Sequence, residues 1–276
     1  MPVSEKTAGR TSYSVACRNE WQSGIGQKPR VKCGECSHRS YKMVDHAVLR
    51  NHLTGRITVG IYPLLQGDRC WFLAADFDKS DWRASVAVFR KACNDAEIAC
   101  TVEISRSGNG AHAWIFFDSP VLAVQARSLG FTMLDKAMER YPQLSFESYE
   151  RLFPNQDTMP AGGFGNLIAL PLQHAPRAHG YSVFVDQTFT PYDDQWGYLS
   201  IIQPRPATLL GPLLIQLDYD TKASTSFALD DDRPWETGLP VSNSPVVGCP
   251  EHVTLDHSEP GICTGPDLTL STDCAT

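Results

Sequence analysis

The order of apolar segments between residues 57 and 171 constrains the fold more than any other feature. Two apolar runs, ITVGIYPLL and CWFLAADFD, have the length and composition of buried β-strands. Apolar residues then recur at helical spacing from Trp82 to Cys93, and Ser80 is the predicted N-cap of this helix. The chain therefore opens its central region with a strand followed by an amphipathic helix.

The same region continues with alternating strands and helices. Residues 100–104 and the segment AHAWIFF are predicted strands joined by a glycine-rich turn. Pro120 is predicted to open a helix that reaches about Arg140, and LSFESYERLF and NLIALPL read as further strands. The order strand, helix, strand, strand, helix, strand is the split β-α-β pattern of ferredoxin-like and RNA-recognition-type folds. The predicted fold class is α+β, with Trp71 and Trp114 expected in the core.

Composition indicates a folded chain that does not span a membrane. The 276 residues are 42% hydrophobic and 20% charged, enough for one large domain or two small ones. No run of 18 apolar residues occurs, and the N-terminus lacks the apolar stretch of a signal peptide. We therefore expect a cytoplasmic protein.

The net charge of -7 is unevenly distributed. Residues 1–60 carry a balance of +6, which suits phosphate binding, whereas residues 206–276 carry -9. We expect residues 1–15 to form a flexible leader and residues 16–205 the folded domain. Residues 206–276 read as a linker or tail, largely disordered after 221, with LLGPLLIQLDYD as a candidate final element.

Two carboxylates at the end of the second apolar run are the first candidate for chemistry. Asp76 and Asp78 stand at i and i+2, so their side chains point to the same face of a strand. Mg²⁺ and Mn²⁺ prefer oxygen ligands and share them with substrate phosphates. The alternative is a solvated strand end. With metal bound, the pair could serve a two-metal phosphoryl-transfer site.

The turn SRSGNGAH is the second candidate, because glycines let a backbone approach a phosphate closely. Gly108 and Gly110 would expose backbone N–H donors, and Ser107 adds a hydroxyl. Arg106 contributes a fixed positive charge, and His112 at the start of the next strand could donate to a phosphate oxygen. Such turns also occur in ordinary hairpins, so the turn gains meaning only beside the two carboxylates.

A third acid is expected in such a site. Glu150 lies on a predicted strand and is the preferred candidate, whereas Asp157 lies in a loop and could equally be a turn residue. Arg151 could pair with Glu150 or with a phosphate, the alternative being a surface charge.

Cys33 and Cys36 form a C-x₂-C knuckle, which is half of a structural zinc site. Cys17 could supply a third thiolate, and His38 and His46 are both candidates for the fourth ligand. The competing interpretation is a knuckle without metal.

Several motifs together resemble one family. The succession AADFD, SRSGNGAHAWIFF, SYERLFPNQDTMPAGGFGNLIALPLQ and DQWGYLS is similar to the primase domain of TOTE conflict systems, within the archaeo-eukaryotic primase superfamily. The resemblance covers about residues 16–205. It implies an RNA-recognition-like catalytic core with an N-terminal αβ module and a Cys knuckle at about 17–46, with the site in the cleft between core and module.

The resemblance also implies a reaction. The superfamily's metal motif falls on Asp76 and Asp78, its nucleotide-contacting motif on Ser107 and His112, and its third acid on Glu150. The implied enzyme is a DNA-directed nucleotidyltransferase, a primase-polymerase in a defence or mobile-element conflict system. It would use Mg²⁺ or Mn²⁺ and an NTP or dNTP on a DNA template and primer.

This chain departs from its relatives in three ways. Relatives usually carry Asp where this chain has Glu150, and a cysteine where it has Gly26, which weakens the case for zinc. They usually continue into a helicase, whereas this sequence continues into an unfamiliar tail, which suggests a truncated or split product working with a separately encoded helicase. The main alternative is therefore a catalytically weakened nucleic-acid or nucleotide-binding module. A third hypothesis, a metal-dependent nuclease, does not need the cradle around His112.

Overall fold

Two antiparallel sheets and six α-helices build the described part of the chain. The computed structural model describes residues 3–6, 14–19, 22–25, 31, 36–79, 81–142, 147–161 and 163–217. In chain order the elements are β1 (Val3–Lys6), β2 (Ser14–Val15), α1 (His46–Leu53), β3 (Thr58–Ile61), β4 (Arg69–Phe77), α2 (Trp82–Asp95), β5 (Thr101–Ile104), β6 (Ala111–Leu122), α3 (Ala123–Arg140), β7 (Tyr149–Phe153), β8 (Ile168–Ala169), α4 (His174–Arg177), β9 (Phe184–Val185), α5 (Gln195–Ile201) and, after a 3-10 turn at Ala207–Leu209, α6 (Leu210–Gln216).

The larger sheet has the strand order β7-β4-β6-β5-β9, and its paired strands are antiparallel. The strands and helices from β4 to β7 follow the predicted β-α-β-β-α-β order. One face of the sheet packs against α2 and α3, where the rings of Phe77 and Phe89 lie 5.6 Å apart. Gly130 allows α3 to pack closely, because a Cβ there would lie 2.8 Å from Leu152 and 3.0 Å from Leu73.

The opposite face of the larger sheet carries Asp76, one of the two candidate carboxylates. Side chains alternate along a strand, so Phe72, Ala74 and Asp76 point away from α3. Beside the apolar part of this face lies a cleft of about 520 Å³. Its walls come from α1, α5, residues 170–172 and the sheet aromatics.

The smaller sheet has the order β2-β1-β3-β8, so its outer strand β8 comes from a segment that follows the last long strand of the larger sheet, β7. The N-terminal module predicted from the resemblance therefore recruits a later part of the chain. Buried His52 links these parts, because its Nδ1 accepts from Val59 N at 3.0 Å and its Nε2 donates to Pro171 O at 3.0 Å. Burial lowers the pKa of His52, which suits this neutral tautomer. Among the described residues, no helix combines the length and hydropathy needed to cross a bilayer.

Several predicted element boundaries were wrong. β6 extends through Pro120, and α3 begins at Ala123. Pro120 lies where the pairing of β4 with β6 is irregular, so its missing N–H removes no ladder hydrogen bond. The N-cap of α2 is Asp81, while Ser80 lies outside the described residues. Trp71 is 41% exposed rather than buried.

The predicted domain limits also differ from the structure at both ends. β1 belongs to the predicted leader but pairs with β3, with Val3 opposite Ile61. The 3-10 turn and α6 fall within the predicted tail, but the segment LLGPLLIQLDYD was predicted as a candidate final element and does pack, through buried Leu210 and Leu213 of α6. The prediction of disorder after 221 falls outside the described residues.

Candidate active site

Four ionisable side chains form a row across four neighbouring strands. Asp76 on β4 is the register partner of both Arg151 on β7 and His112 on β6, and His112 is the partner of Glu103 on β5. Directly opposite residues of antiparallel strands point to the same face of the sheet. The His112 ring therefore lies between two acids, with Nε2 3.5 Å from Asp76 Oδ1 and Nδ1 2.8 Å from Glu103 Oε2.

Glu103 is the member of this row that the sequence interpretation missed. It is 2% exposed and accepts hydrogen bonds from His112 Nδ1, from Trp114 Nε1 at 3.3 Å and from Ser182 Oγ at 3.3 Å. A buried carboxylate needs such partners to offset its desolvation. The available signal was a charged residue in the middle of the short apolar strand TVEI. Glu103 fixes the orientation of the imidazole and leaves Nε2 directed towards Asp76.

The electrostatics of the row favour a protonated His112. Burial by itself lowers the pKa of His112, but Glu103, through its charge and its hydrogen bond, and then Asp76 and Asp78 raise it, and the net shift is upward. A protonated imidazole presents N–H donors at both ring nitrogens. His112 is thus suited to donate Nε2–H to an anionic oxygen.

The surroundings of Asp76 disfavour its charged form. Burial raises the pKa of Asp76, and the charges of Glu150 and Asp78 raise it further, while His112 and Arg151 lower it. The net upward shift means that the folded protein disfavours the ionised carboxylate. A cation placed beside Asp76 would relieve that cost.

The glycine-rich turn packs directly against the two acids. A Cβ on Gly110 would collide with Phe77 O and lie 3.3 Å from Asp78 Oδ1, so only glycine allows this approach. Gly108 has φ +78°, and a Cβ there would lie 2.5 Å from the Tyr181 ring. Ser107 Oγ accepts from Asn109 N at 3.2 Å. The predicted nucleotide-binding turn therefore lies beside the carboxylate pair.

Strand β7 has a bulge at Glu150, the preferred candidate for the third acid. Asp76 pairs with Arg151 but Phe77 pairs with Tyr149, which leaves Glu150 as the extra residue. Bulges redirect side chains and are frequent beside active sites. The charge of Glu150 raises the pKa of Asp76, so Glu150 acts on the row electrostatically, although its Oε1 also accepts from Arg151 Nη2 at 2.7 Å.

Asp157, the competing third acid, lies 2.8 Å from Arg127 Nε through its Oδ1. This ion pair involves a buried arginine of α3. The arrangement favours Glu150, and the assignment stays a prediction. Arg106 is half-buried and, with Arg177, contributes after burial itself to the lowered pKa of His52.

The carboxylate oxygens of the candidate site are of the ligand type that Mg²⁺ and Mn²⁺ prefer. Among the described residues, no group of three or more His, Cys, Asp or Glu side chains is arranged to hold a metal ion by itself. Mg²⁺ is usually bound by one or two carboxylates together with substrate phosphates and water, so a complete protein cage is not required. Asp76 and Asp78, beside Glu150, would supply those carboxylates.

The Cys knuckle is only partly described. Cys17 and Cys36 are half-buried free thiols, and Ser40 N donates to Cys17 Sγ at 3.3 Å. Cys33 and Gly26 lie outside the described residues. The zinc site stays a prediction.

Fold and row together define an α+β domain that places an acid–histidine site on one face of an antiparallel sheet. The sequence model of the TOTE conflict system archaeo-eukaryotic primase domain matches residues 3–210, and the chain belongs to this family. No curated protein sequence is significantly similar to it. Among solved structures, it is similar to the polymerase domain of Mycobacterium tuberculosis ligase D in complex with DNA. The identity is 13%, the TM-score is 0.37, and the match covers 83% of this chain and 85% of that one.

Proposed function

We propose that this primase-family domain is a template-directed nucleotidyltransferase that acts on DNA. The observation that carries the proposal is the row formed by Asp76, His112 and Glu103, with Asp78 and the glycine-rich turn beside it. Family membership supports nucleotidyl transfer of the primase-polymerase kind. The role in a defence or mobile-element conflict and the separately encoded helicase partner belong to the same proposal.

Asp76, Asp78 and Glu150 would hold Mg²⁺ or Mn²⁺. The bound ions would supply activation of a 3′-hydroxyl and stabilisation of the leaving pyrophosphate. Because burial and neighbouring acids raise the pKa of Asp76, a cation bound beside it would offset the cost of ionising this carboxylate.

His112 would contact the triphosphate of the incoming NTP or dNTP. With Nδ1 held by Glu103, Nε2 can donate to a phosphate oxygen at a fixed position. The Gly108 N–H already donates to Ser105 O at 2.9 Å, so the turn would contribute the Ser107 hydroxyl and the close approach that Gly110 allows. Arg106 and Arg151 would contribute positive charge near the phosphates.

Primer extension on single-stranded DNA with Mg²⁺ or Mn²⁺ tests this proposal. We expect metal-dependent products from the wild type and none from Asp76→Ala. The matched control is Asp193→Ala, which removes an exposed carboxylate between β9 and α5 and should extend primers like the wild type. Equal incorporation by Asp76→Ala and the wild type would refute the metal assignment.

One observation favours a second candidate, a nucleic-acid or nucleotide-binding module with weakened catalysis. The carboxylate of Glu150 is engaged by Arg151 at 2.7 Å, which opposes its use as a metal ligand. The module would bind DNA with a steep salt dependence and incorporate no nucleotide. Glu150→Asp discriminates the candidates, because a shorter side chain that restores incorporation would identify Glu150 as the weak point.

A further inference from the structure

Three segments that contain arginine but no Asp or Glu meet beside the glycine-rich turn. They are residues 46–57, 104–112 and 173–181, in a chain whose net charge is -7. Such a concentration of positive charge in an acidic protein is a local feature that its overall composition does not predict.

Direct contacts hold the three segments together. The Tyr181 ring covers Gly108 of the turn, where a Cβ would lie 2.5 Å from it. Arg177 Nη2 donates to Leu53 O at 3.4 Å, at the end of α1. A Cβ on Gly55 would lie 3.1 Å from the Cβ of His174. We call Arg56, Arg177 and Tyr181 the basic rim, and this rim adjoins Arg106 of the turn.

The basic rim continues directly into the active site. Arg106 and Gly110 belong to the same turn, and Gly110 lies against the backbone of Phe77 and Asp78. A polymer bound along the rim would therefore pass the carboxylate pair. A group of arginines that only stabilised the fold would not need to adjoin the active site.

The chemistry of the basic rim suits a single strand of nucleic acid. Arg56 is exposed, and no ion pair of its side chain occurs within the described residues. Tyr181 is 41% exposed although part of its ring covers Gly108. Arginines that follow a phosphate backbone, with an aromatic ring on which a base can stack, are the two components of single-strand binding surfaces.

We propose that the basic rim binds the single-stranded DNA template beside the active site, an inference that rests on the proposed function. Its arginines contact the sugar-phosphate backbone, and Tyr181 stacks on one base.

Fluorescence anisotropy with a labelled oligo-dT strand, without divalent metal or nucleotide, tests the rim separately from catalysis. Tyr181→Ala should weaken binding about 5- to 150-fold, the range for one lost base–aromatic stack. Tyr181→Phe keeps the ring and should bind like the wild type. Arg56→Ala should lower the magnitude of the salt slope by about 0.7, the contribution of one phosphate contact on a single strand.

Lys91→Ala is the matched control, because it removes an exposed cation on α2 that pairs with Asp95. It should leave the affinity and the salt slope unchanged. If Tyr181→Ala fails to fold, Arg56→Glu at an exposed position serves the same purpose and should weaken binding more than Arg56→Ala.

The outcomes separate this inference from the proposed function. If the wild type extends primers while Tyr181→Ala and Arg56→Ala bind DNA like the wild type, the rim is wrong and the nucleotidyltransferase stands. If the rim variants lose affinity while the wild type incorporates no nucleotide, the rim stands and the catalytic proposal falls.

Discussion

Two pairs of opposite residues on the same face of β4 and β6 have contrasting chemistry. Asp76 lies opposite His112, and four residues away Phe72 lies opposite Phe116. At this apolar end, the Phe72 and Trp114 rings lie 5.1 Å apart, and Trp114 stacks on Phe116 at 6.0 Å. At the polar end, burial opposes the ionised form of Asp76.

The contrast shows that one sheet face can carry apolar residues at one end and ionisable residues at the other. The strands, the pleat and the direction of the side chains are shared, so backbone geometry does not explain the difference. Burial of the aromatic rings stabilises the fold, whereas burial of carboxylates costs stability unless a cation or hydrogen bonds offset it. On the proposed function, the polar end serves chemistry and the apolar end serves stability.

The largest expected effect comes from Asp76→Asn. The change keeps the shape of the side chain but removes the charge that would hold the metal. Metal stabilisation of the reacting charges amounts to several kcal/mol, which corresponds to a loss of incorporation on the order of 10³-fold. Single-turnover primer extension measures it. Activity within tenfold of the wild type would mean that Asp76 does not take part in nucleotide incorporation.

The next effect, at the apolar end, is on stability. Phe72→Ala should lower the free energy of unfolding by about 3–5 kcal/mol, because Phe72 is 3% exposed and leaves a cavity. Equilibrium urea denaturation measures the loss, and Phe72→Leu should lose less. The incorporation rate per folded molecule should change little. A large fall in that rate, without unfolding, would erase the distinction between the two ends.

A smaller effect is expected for Glu103→Gln, which keeps the size of the side chain but removes its charge. Loss of a carboxylate that orients a functional histidine typically costs about 10–100-fold. We expect the loss to appear as a higher nucleotide KM. In a His112→Ala background the same change should cost little more, because the residue it orients is gone. Fully additive losses would show that Glu103 acts elsewhere in the fold.

Part of this organisation was predictable from local pattern. The strands and helices from residue 69 to residue 153 follow hydrophobic periodicity. The shared direction that i, i+2 spacing predicts for Asp76 and Asp78 stays a prediction, because β4 ends at Phe77. The sequence predicted only that Asp76 and His112 would lie near each other. Their direct opposition depends on the register of β4 with β6.

The rest depends on non-local geometry. Glu103 faces His112 because the turn between β5 and β6 sets their register. Glu150 lies at a one-residue bulge beside the row, which hydrophobic periodicity does not encode. The smaller sheet pairs Val3–Lys6 with Thr58–Ile61 and then with Ile168–Ala169, across long stretches of chain. Local propensities carry no information about such pairings.

The smallest expected effect concerns stability at the polar end, measured without divalent metal. The pKa of Asp76 is raised above its usual value of 3.8, so the folded protein binds more protons than the unfolded chain above that pH. The contribution of the protonated form is complete below 3.8 and is lost as pH rises through the folded pKa. At neutral pH, Asp76→Asn should therefore unfold at a higher Tm than the wild type.

The gain should be modest, because neutralising Asp76 also removes one of the charges that raise the pKa of His112. Each 1 kcal/mol of net gain would raise the Tm by about 2–4 °C in a domain of this size. The difference should shrink as the pH falls through the folded pKa, and it should vanish below 3.8, where Asp76 is neutral in both folded and unfolded wild type. Asp193→Asn, at an exposed position, should show no such trend. A lower Tm for Asp76→Asn at neutral pH would mean that the ionised carboxylate stabilises the fold, and the division of tasks between the two ends would not hold.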